Sequence, residues 1–132
     1  SLWAHFRTYL DKLEGEKGDV LFRQGETADD MVFVESGTVT ALLELEGGKS
    51  KRLRVMGAGT VVGEMGFYLG TPRSATVTVE KPGVLYRLTL KNFRKMEAEN
   101  SLLAAQVHRF IVRLLARRLA HANVEIEHLL RE

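Results

Sequence analysis

The chain has 132 residues and carries 19 basic and 17 acidic side chains, which gives a formal net charge of +2. This length is enough for one domain with its own hydrophobic core. The small net charge does not indicate nucleic-acid binding, and the absence of cysteine excludes disulfides and thiol nucleophiles. No apolar run approaches the ~20 residues that a membrane-spanning helix requires. Because the chain starts with Ser1 and not Met, we expect it to be a fragment of a longer protein.

The first predicted elements are a short helix and then a series of strands. Apolar residues at helical spacing predict an amphipathic helix over residues 2–13. They are Leu2, Phe6, Leu10 and Leu13. From residue 20 to residue 90, short apolar runs alternate with glycine-containing turns, which is typical of β-hairpins. The predicted strands are residues 20–24, 31–35, 38–45, 51–56, 60–63, 75–80 and 84–89.

Two helices are predicted after the last strand. Thr89 and Asn92 have the residue types of a helix N-cap and first turn, which indicates a helix ending near Ala98. Ser101 is expected to cap a second, much longer helix with a continuous apolar stripe. The one place where this helix could be interrupted is near Asn123. The predicted architecture is therefore a β-roll flanked by helices.

The most informative segment is residues 63–77, which read Gly-Glu-Met-Gly-Phe-Tyr-Leu-Gly-Thr-Pro-Arg-Ser-Ala-Thr-Val. It places a carboxylate, Glu64, and a guanidinium, Arg73, at the two ends of a short glycine-containing run between β-like stretches. Burial of opposite charges is costly unless something satisfies both groups. The spacing therefore suggests a ligand with hydroxyls at one end and an anionic phosphate at the other. The alternative is that Glu64 and Arg73 pair with each other across a turn.

The same segment closely resembles the phosphate-binding cassette of cyclic nucleotide-binding domains. These domains occur in the bacterial cAMP receptor protein, in cyclic-nucleotide-dependent kinases and in cyclic-nucleotide-gated channels. The family pattern opens with Gly-Glu and closes with Pro-Arg-small-Ala-Thr-Val, which this chain matches at Gly63-Glu64 and at residues 72–77. Residues 18–26 and 31–39 also resemble the first strands of such a domain, and the resemblance covers about residues 12–130.

The resemblance implies a mainly β fold, with a single domain over residues 1–132. This fold is a jelly-roll-like double-stranded β-helix with a short N-terminal helix, a cassette helix near residues 65–69 and two C-terminal helices. Ligand capture in such a domain would favour a closed state and relay the signal to an attached effector by population shift. The segment Glu97–Ser101, between the C-terminal helices, is the expected hinge.

The resemblance also implies a role for each cassette residue. Arg73 suits the cyclic phosphate because its planar fork can donate two charge-assisted hydrogen bonds. An ionised Glu64 can accept a hydrogen bond from the ribose 2′-hydroxyl. The small residues beside them would let the backbone approach the ligand, and the cassette helix would direct its N-terminus at the anion. The expected ligand-binding residues are Gly63, Glu64, Met65, Arg73, Ser74 and Ala75.

The base preference and the residue that covers the base are less strongly indicated. We expect cAMP in preference to cGMP, because Ser74 stands where a Thr often accompanies cGMP preference in the family. An aromatic ring or guanidinium of the long helix would stack on the purine. Arg109, Phe110 and Arg113 are the candidates for this lid, and the alternative for each is an ordinary core or surface position.

Neither a catalytic centre nor a metal site is predicted. All four histidines lie in the predicted flanking helices, whereas a metal-dependent cupin enzyme needs histidines inside its barrel. The Gly-x-Ser-x-Gly elbow of serine hydrolases is absent. We therefore expect a regulatory binding module that is not an enzyme and that has no cofactor besides its ligand.

The identity of the attached effector is suggested by a looser resemblance. With the cassette, residues 109–123 most resemble domains appended to bacterial sulfate-permease-type anion transporters, which lie behind a STAS domain on the cytoplasmic side. This implies a cytoplasmic location and a transporter as partner. A channel, a kinase or a transcription factor is the alternative host. The sensor half of a DNA-binding regulator also stays open, although residues 1–132 contain no helix-turn-helix and no nucleic-acid partner is expected.

The charge pattern of the long helix leaves further alternatives open. Its first half is basic, with Arg109, Arg113 and Arg117 on one side, which is typical of a solvated face. An anionic membrane, an acidic partner or the phosphate of the ligand are the alternatives for what this side faces. Its second half turns acidic, through Glu125, Glu127 and Glu132. Two copies with this pattern could pair in antiparallel fashion, so a homodimer is one alternative.

A separate alternative is a degenerate domain that has kept its cassette but binds no nucleotide and serves protein interaction or dimerisation. The intact Glu64 and Arg73 argue against it.

Overall fold

A computed structural model describes residues 2–131, apart from the side chains of residues 123 and 125. This part of the chain forms eight strands, four α-helices and one short 3₁₀ helix, Glu46–Gly48. The strands are β1 (Asp11–Gly15), β2 (Val20–Phe22), β3 (Asp30–Val34), β4 (Thr38–Glu44), β5 (Ser50–Met56), β6 (Thr60–Val62), β7 (Thr76–Lys81) and β8 (Gly83–Thr89). The helices are α1 (Leu2–Arg7), α2 (Glu64–Leu69), α3 (Leu90–Glu99) and α4 (Ser101–Arg131).

The strands form two antiparallel sheets of four strands each. One sheet has the order β1-β8-β3-β6, and the other has the order β2-β7-β4-β5. Each of the seven predicted strands is present, with ends within two residues of the prediction. The predicted jelly-roll-like fold with flanking helices is therefore confirmed.

Two apolar cores lie on opposite faces of the first sheet, as the alternation along β3 shows. Val32 and Val34 point toward the second sheet and belong to the core between the two sheets. Met31 and Phe33 point the other way and pack with α1, α3 and α4. Successive side chains of a strand face opposite sides. The near-continuous apolar run of β3 thus reflects burial on both faces.

The predicted N-terminal helix over residues 2–13 was wrong in its second half. α1 ends at Arg7, and residues 11–15 form β1 along the edge of β8, with Leu13 opposite Leu85. Leu13 packs against the core between the sheets. The apolar spacing of this region fits either element, but the edge of β8 offers backbone hydrogen bonds over five residue pairs. Pairing with β8 thus decided the structure.

The two C-terminal helices have the predicted order, but one cap differs. Thr89 caps α3 as expected, because its side-chain oxygen accepts a hydrogen bond from the Asn92 N–H at 3.1 Å. The cap of α4 is Asn100 and not Ser101. Asn100 Oδ1 accepts from the Leu103 N–H at 3.1 Å. α4 continues through residue 123 to Arg131.

The two halves of α4 have different surroundings. Its first half buries apolar side chains in the core between the first sheet and the helices; they are Leu103, Ala104, Val107 and Ile111. In its second half, most described apolar side chains are exposed, including Leu119, Ile126 and Leu129. The acidic pattern predicted there includes residues 125 and 132, which lie outside the described side chains. None of the described helices is both long and apolar enough to cross a membrane.

Candidate functional site

The segment between β6 and β7 forms a short helix enclosed by two glycines. α2 starts after Gly63, whose φ is 80°, and ends before Gly70, whose φ is 68°. Both values lie in the left-handed region, which glycine adopts without the steric cost that other residues meet. The predicted cassette helix over residues 65–69 is thus present and begins one residue earlier, at Glu64.

Arg73 is anchored through its backbone to the loop after β2. Its N–H donates to the Glu26 carbonyl, and its own carbonyl accepts from the Gly25 N–H, both at 2.8 Å. The residue is only 7% exposed. Its guanidinium lies over the ring of Phe22, with Cζ 3.7 Å from the ring centroid. The side chain is therefore fixed inside the cassette and not free in solvent.

The guanidinium of Arg73 is held by two residues. Nη1 donates to the Gly63 carbonyl at 2.8 Å, and Nη2 donates to the Asp30 carbonyl at 2.6 Å. Nη2 also forms an ion pair with Asp30 Oδ1, while Arg87 Nε lies 2.8 Å from Asp30 Oδ2. The Nε–H and one Nη1 hydrogen of Arg73 have no partner in the described part of the chain. These two donors are available for a ligand oxygen.

Burial and the neighbouring carboxylates act in opposite directions on the pKa of Arg73. Burial lowers the pKa of the Arg73 guanidinium, and the charges of Asp30, Asp29 and Glu26 oppose this effect. Burial also raises the pKa of the Asp30 carboxyl, although Arg87 and Arg73 act in the opposite direction. Burial therefore makes both charged forms costly, and a ligand phosphate beside Arg73 would offset part of the cost for the guanidinium.

Glu64 is buried and paired with a residue of α4. Arg118 Nη1 donates to Glu64 Oε1 at 2.9 Å. Arg118 Nη2 donates to the Val61 carbonyl at 2.8 Å and also to the Thr60 hydroxyl. Within residues 2–131, no ion pair joins Glu64 to Arg73. The alternative raised from the sequence, a direct pair across the turn, is therefore not what this structure shows.

The other predicted cassette residues differ in exposure. Met65 is 62% exposed, Ser74 is exposed and Ala75 is half-buried. The backbone N–H groups of Ser74 and Ala75 donate no hydrogen bond to any described residue. Next to Arg73, the segment thus presents two adjacent backbone donors, which suit an anion.

The requirement for glycine at residue 63 has a steric cause in addition to its φ. A Cβ at this position would lie 2.6 Å from Arg73 Nη1 and 2.7 Å from the ring of Phe22. Any side chain at residue 63 would therefore displace the guanidinium. Gly63 serves the placement of Arg73, besides the close approach of a ligand that the sequence suggested.

The three predicted lid residues lie elsewhere on α4 than the contacts with the cassette. Arg109 and Arg113 are exposed. Phe110 is 49% exposed and lines an apolar cavity of about 400 Å³, together with Trp3, Tyr86 and other residues of α1 and the first sheet. This cavity lies on the helix side of the sheet and not at the cassette.

Two other residues of α4 contact α2. Arg118 reaches Glu64 as described, and His108 Nδ1 lies 3.0 Å from the hydroxyl oxygen of Tyr68. Sequence reasoning missed Asp30 and Arg118 as members of the site. Asp30 is 43 residues from Arg73, and Arg118 is 54 residues from Glu64. No local sequence pattern marks Asp30 as a member of the site. Arg118 appears in the sequence only as one of several arginines in a basic helix.

Among the residues that the structure describes, no three histidine or carboxylate side chains come together in a way that could hold a metal ion. The chemical groups at the cassette are instead a buried guanidinium, a buried carboxylate and free backbone N–H groups.

The sequence of this chain is similar to a known domain family and to parts of longer proteins. A family model described as the cyclic nucleotide-binding domain matches residues 12–100. A putative potassium channel protein of Rhodopseudomonas palustris is 32% identical over 123 residues, which cover 93% of this chain and 29% of that protein. The cAMP-dependent protein kinase regulatory subunit of Yarrowia lipolytica is 31% identical, over 68% of this chain and 24% of that protein. The chain thus spans less than a third of the length of either relative.

A solved structure supports the fold assignment. The crystal structure of a cyclic nucleotide-binding domain from Methylobacillus flagellatus superposes with a TM-score of 0.83. The alignment covers 95% of this chain and 70% of that chain, at 21% sequence identity. At this level of identity, the likeness establishes a shared fold.

Proposed function

Because this chain belongs to the cyclic nucleotide-binding domain family, we propose that it binds cAMP in preference to cGMP through residues 63–77. The observation that carries this proposal is the environment of Arg73. Among the described residues, two donors of its buried guanidinium have no partner, and the N–H groups of Ser74 and Ala75 beside it have none either. A cyclic phosphate has the charge and the oxygen acceptors to satisfy all four donors.

The remaining cassette residues complete the proposed site. The carboxylate of Glu64 keeps one oxygen without a described partner and would accept a hydrogen bond from the ribose 2′-hydroxyl. Gly63 and Met65 lie on either side of Glu64 and would line the ligand. Arg109, Phe110 and Arg113 remain the proposed lid for the base; their present positions would require a rearrangement of α4 to bring one of them over the ligand.

Ligand binding would be relayed by the C-terminal helices to an attached effector. The break between α3 and α4 at Asn100 falls within the proposed hinge, Glu97–Ser101. The proposed effector is a sulfate-permease-type anion transporter with a STAS domain, which would place this domain on the cytoplasmic side. The similarity to a putative potassium channel supports a host of the transport class. Catalysis is not part of the proposal, since the module acts by binding.

Two alternatives concern what the domain does if this proposal fails. The exposed apolar side chains in the second half of α4 favour a homodimer or another protein contact. A degenerate domain used for protein interaction, or the sensor half of a DNA-binding regulator, would keep the fold without the proposed output. Measured binding of a cyclic nucleotide would exclude the degenerate domain.

The test is calorimetric titration of the wild type and of Arg73→Lys with cAMP and cGMP. Lysine keeps the charge but loses the planar fork, so we expect cAMP affinity to fall about 10–100-fold. Arg54→Lys is the matched control, because Arg54 is an exposed residue of β5, the edge strand that β4 separates from β7. Lysine is preferable to a reversal of charge, because a glutamate at residue 73 would face Asp30.

Equal affinities of Arg73→Lys and the wild type would contradict the role of Arg73. Absence of binding to a folded, nucleotide-free wild type would favour the protein-interaction alternative. Tighter binding of cGMP than of cAMP would overturn the base preference alone.

A further inference from the structure

The apolar cavity of about 400 Å³ between α1, the first sheet and α4 has no role in the proposed nucleotide site. Five of its lining residues are aromatic, namely Trp3, Phe6, Phe33, Tyr86 and Phe110. Protein interiors are close-packed and leave few voids larger than a water molecule. A space of this size and composition therefore has the properties of a binding pocket for a small molecule.

The walls of this cavity are held in place by the core. Phe6, Phe33 and Tyr86 are buried and belong to the core on the helix side of the first sheet. The ring of Phe6 meets the ring of Phe33 edge to face, with 5.4 Å between the centroids. Trp3 meets Tyr86 in the same way, also at 5.4 Å. Ring faces and ring edges therefore both line the space, and a flat ligand can pack edge to face against them.

The opening of the cavity is formed by exposed apolar side chains of two helices. Leu2 and Trp3 of α1 are 53% and 42% exposed, and Phe110 of α4 is 49% exposed. All three also line the cavity. A ligand that covers them removes apolar surface from water, which contributes favourable free energy to its binding.

The few polar side chains of the lining indicate which ligand charge is suitable. They belong to Glu35, Thr60 and Gln106. The Thr60 hydroxyl already accepts from Arg118. Glu35 is exposed, and its carboxylate has no partner among the described residues. An ionised carboxylate only accepts hydrogen bonds and repels an anion, so the ligand that fits has a donor and no negative charge.

We propose that this cavity binds a neutral aromatic molecule of one or two rings that carries a hydrogen-bond donor, as indoles and phenols do. The rings of the ligand pack against the aromatic wall, and its donor faces Glu35. This makes the cavity a second ligand site on the domain. The assignment does not rest on nucleotide binding, because no residue of the segment 63–77 lines the cavity.

The experiment is a titration of isotope-labelled wild type with indole, indene and an indole carboxylate, followed by the side-chain N–H resonance of Trp3. The chain contains one tryptophan, so this resonance is a single probe in the cavity wall. We expect indole to shift it saturably. Indene has the same shape but no donor, and it should bind about 3–10-fold more weakly. The carboxylate should bind most weakly, because it carries the same charge as Glu35.

Two substitutions at exposed side chains locate the binding. Phe110→Ala removes part of the wall and should weaken indole about 3–10-fold. Val112→Ala should match the wild type, since Val112 is exposed on the same helix but does not line the cavity. Glu35→Ala should remove the preference for indole over indene and leave indene unchanged. Glu14→Ala, at an exposed glutamate outside the lining, should keep the preference.

Four results would overturn the proposal. The first is a wild type whose Trp3 resonance shows no saturable shift, and the second is equal affinity of Phe110→Ala and Val112→Ala for indole. The third is equal or tighter binding of the carboxylate, which would mean that Arg7, whose Cζ lies 5.4 Å from the centroid of the Tyr86 ring, sets the charge preference. The fourth is a wild-type dimer in sedimentation that Phe110→Ala dissociates, which would assign this surface to a second copy of the chain.

Discussion

The first and second halves of α4 are continuous in the helix but are attached to the protein in different ways. In the first half, Leu103 and Ile111 are at most 2% exposed and belong to the core that α1 and α3 share with the sheet. In the second half, Leu119 is 65% exposed and Leu129 is 72% exposed, and the fork of Arg118 supplies the contact with the β-roll.

This difference shows which part of the helix is suited to respond to a ligand. Apolar burial stabilises the first half by an amount that no single ligand contact can match. A segment held by a few polar contacts opens at a much lower free energy. The second half can therefore be docked or released by a change at Glu64, whereas a rearrangement of the first half about Glu97–Ser101 would have to exchange its apolar contacts.

The largest expected difference in stability is between isoleucine-to-alanine substitutions in the two halves of α4. Ile111 is fully buried, so Ile111→Ala should lower the free energy of unfolding by about 2–5 kcal/mol. Ile126 is 52% exposed, so Ile126→Ala should change it by no more than about 0.5 kcal/mol. Urea denaturation of both variants measures the contrast. Similar losses in both, with a dependence on protein concentration for Ile126→Ala, would instead identify the second half as a dimer interface.

A smaller effect is expected from the polar contacts of Arg118. Thr60→Val keeps the shape of the side chain but removes the hydroxyl that accepts from Arg118, which should cost about 0.5–1.5 kcal/mol. Thr38→Val is the matched control. Thr38 Oγ1 is buried with no hydrogen-bond partner among the described residues, so its removal should be neutral or stabilising.

Thermal unfolding of the two threonine variants tests this contrast. Equal melting temperatures would mean that the Thr60 hydroxyl contributes nothing to the attachment of α4. Amide exchange in the second half of α4 should also be faster in Thr60→Val than in Thr38→Val.

The smallest expected effect is a dependence of stability on pH through Tyr68, the residue of α2 that contacts the first half of α4. Burial, with the charges of Glu97 and Glu64, raises the pKa of Tyr68 to about 12. The ordinary value is about 10, so between these pH values the unfolded chain releases a proton that the native protein keeps. The contribution of this hydroxyl to stability is thus complete below about pH 10 and decreases as the pH rises toward 12.

Tyr68→Phe should therefore lose less stability than the wild type across this alkaline range. The difference should be small, because Tyr68 is 41% exposed and solvent weakens the charge interactions. Urea denaturation of both proteins at pH values below and within the range measures it. Parallel pH profiles would show that the environment of Tyr68 does not perturb its ionisation.

The sequence alone determined the strands β2 to β8, the cassette and the helical character of residues 101–131. Strand alternation, glycine-containing turns and helical periodicity all depend on residues that are close neighbours in the chain. The cassette is a contiguous run, so its glycines, Glu64 and Arg73 were visible together. The first cap of the C-terminal helices, at Thr89, was also local and was predicted correctly.

The tertiary structure decided which partners these local elements have. Residues 11–15 became a strand because the edge of β8 was available to them. Glu64 met Arg118 and Arg73 met Asp30 because α4 crosses β6 and the start of β3 lies beside the cassette. Charge pairing depends on which surfaces come together in space, and these partners are 43 and 54 residues apart in the chain. Periodicity specifies which face of an element is buried, whereas only the packed fold specifies which side chain that face meets.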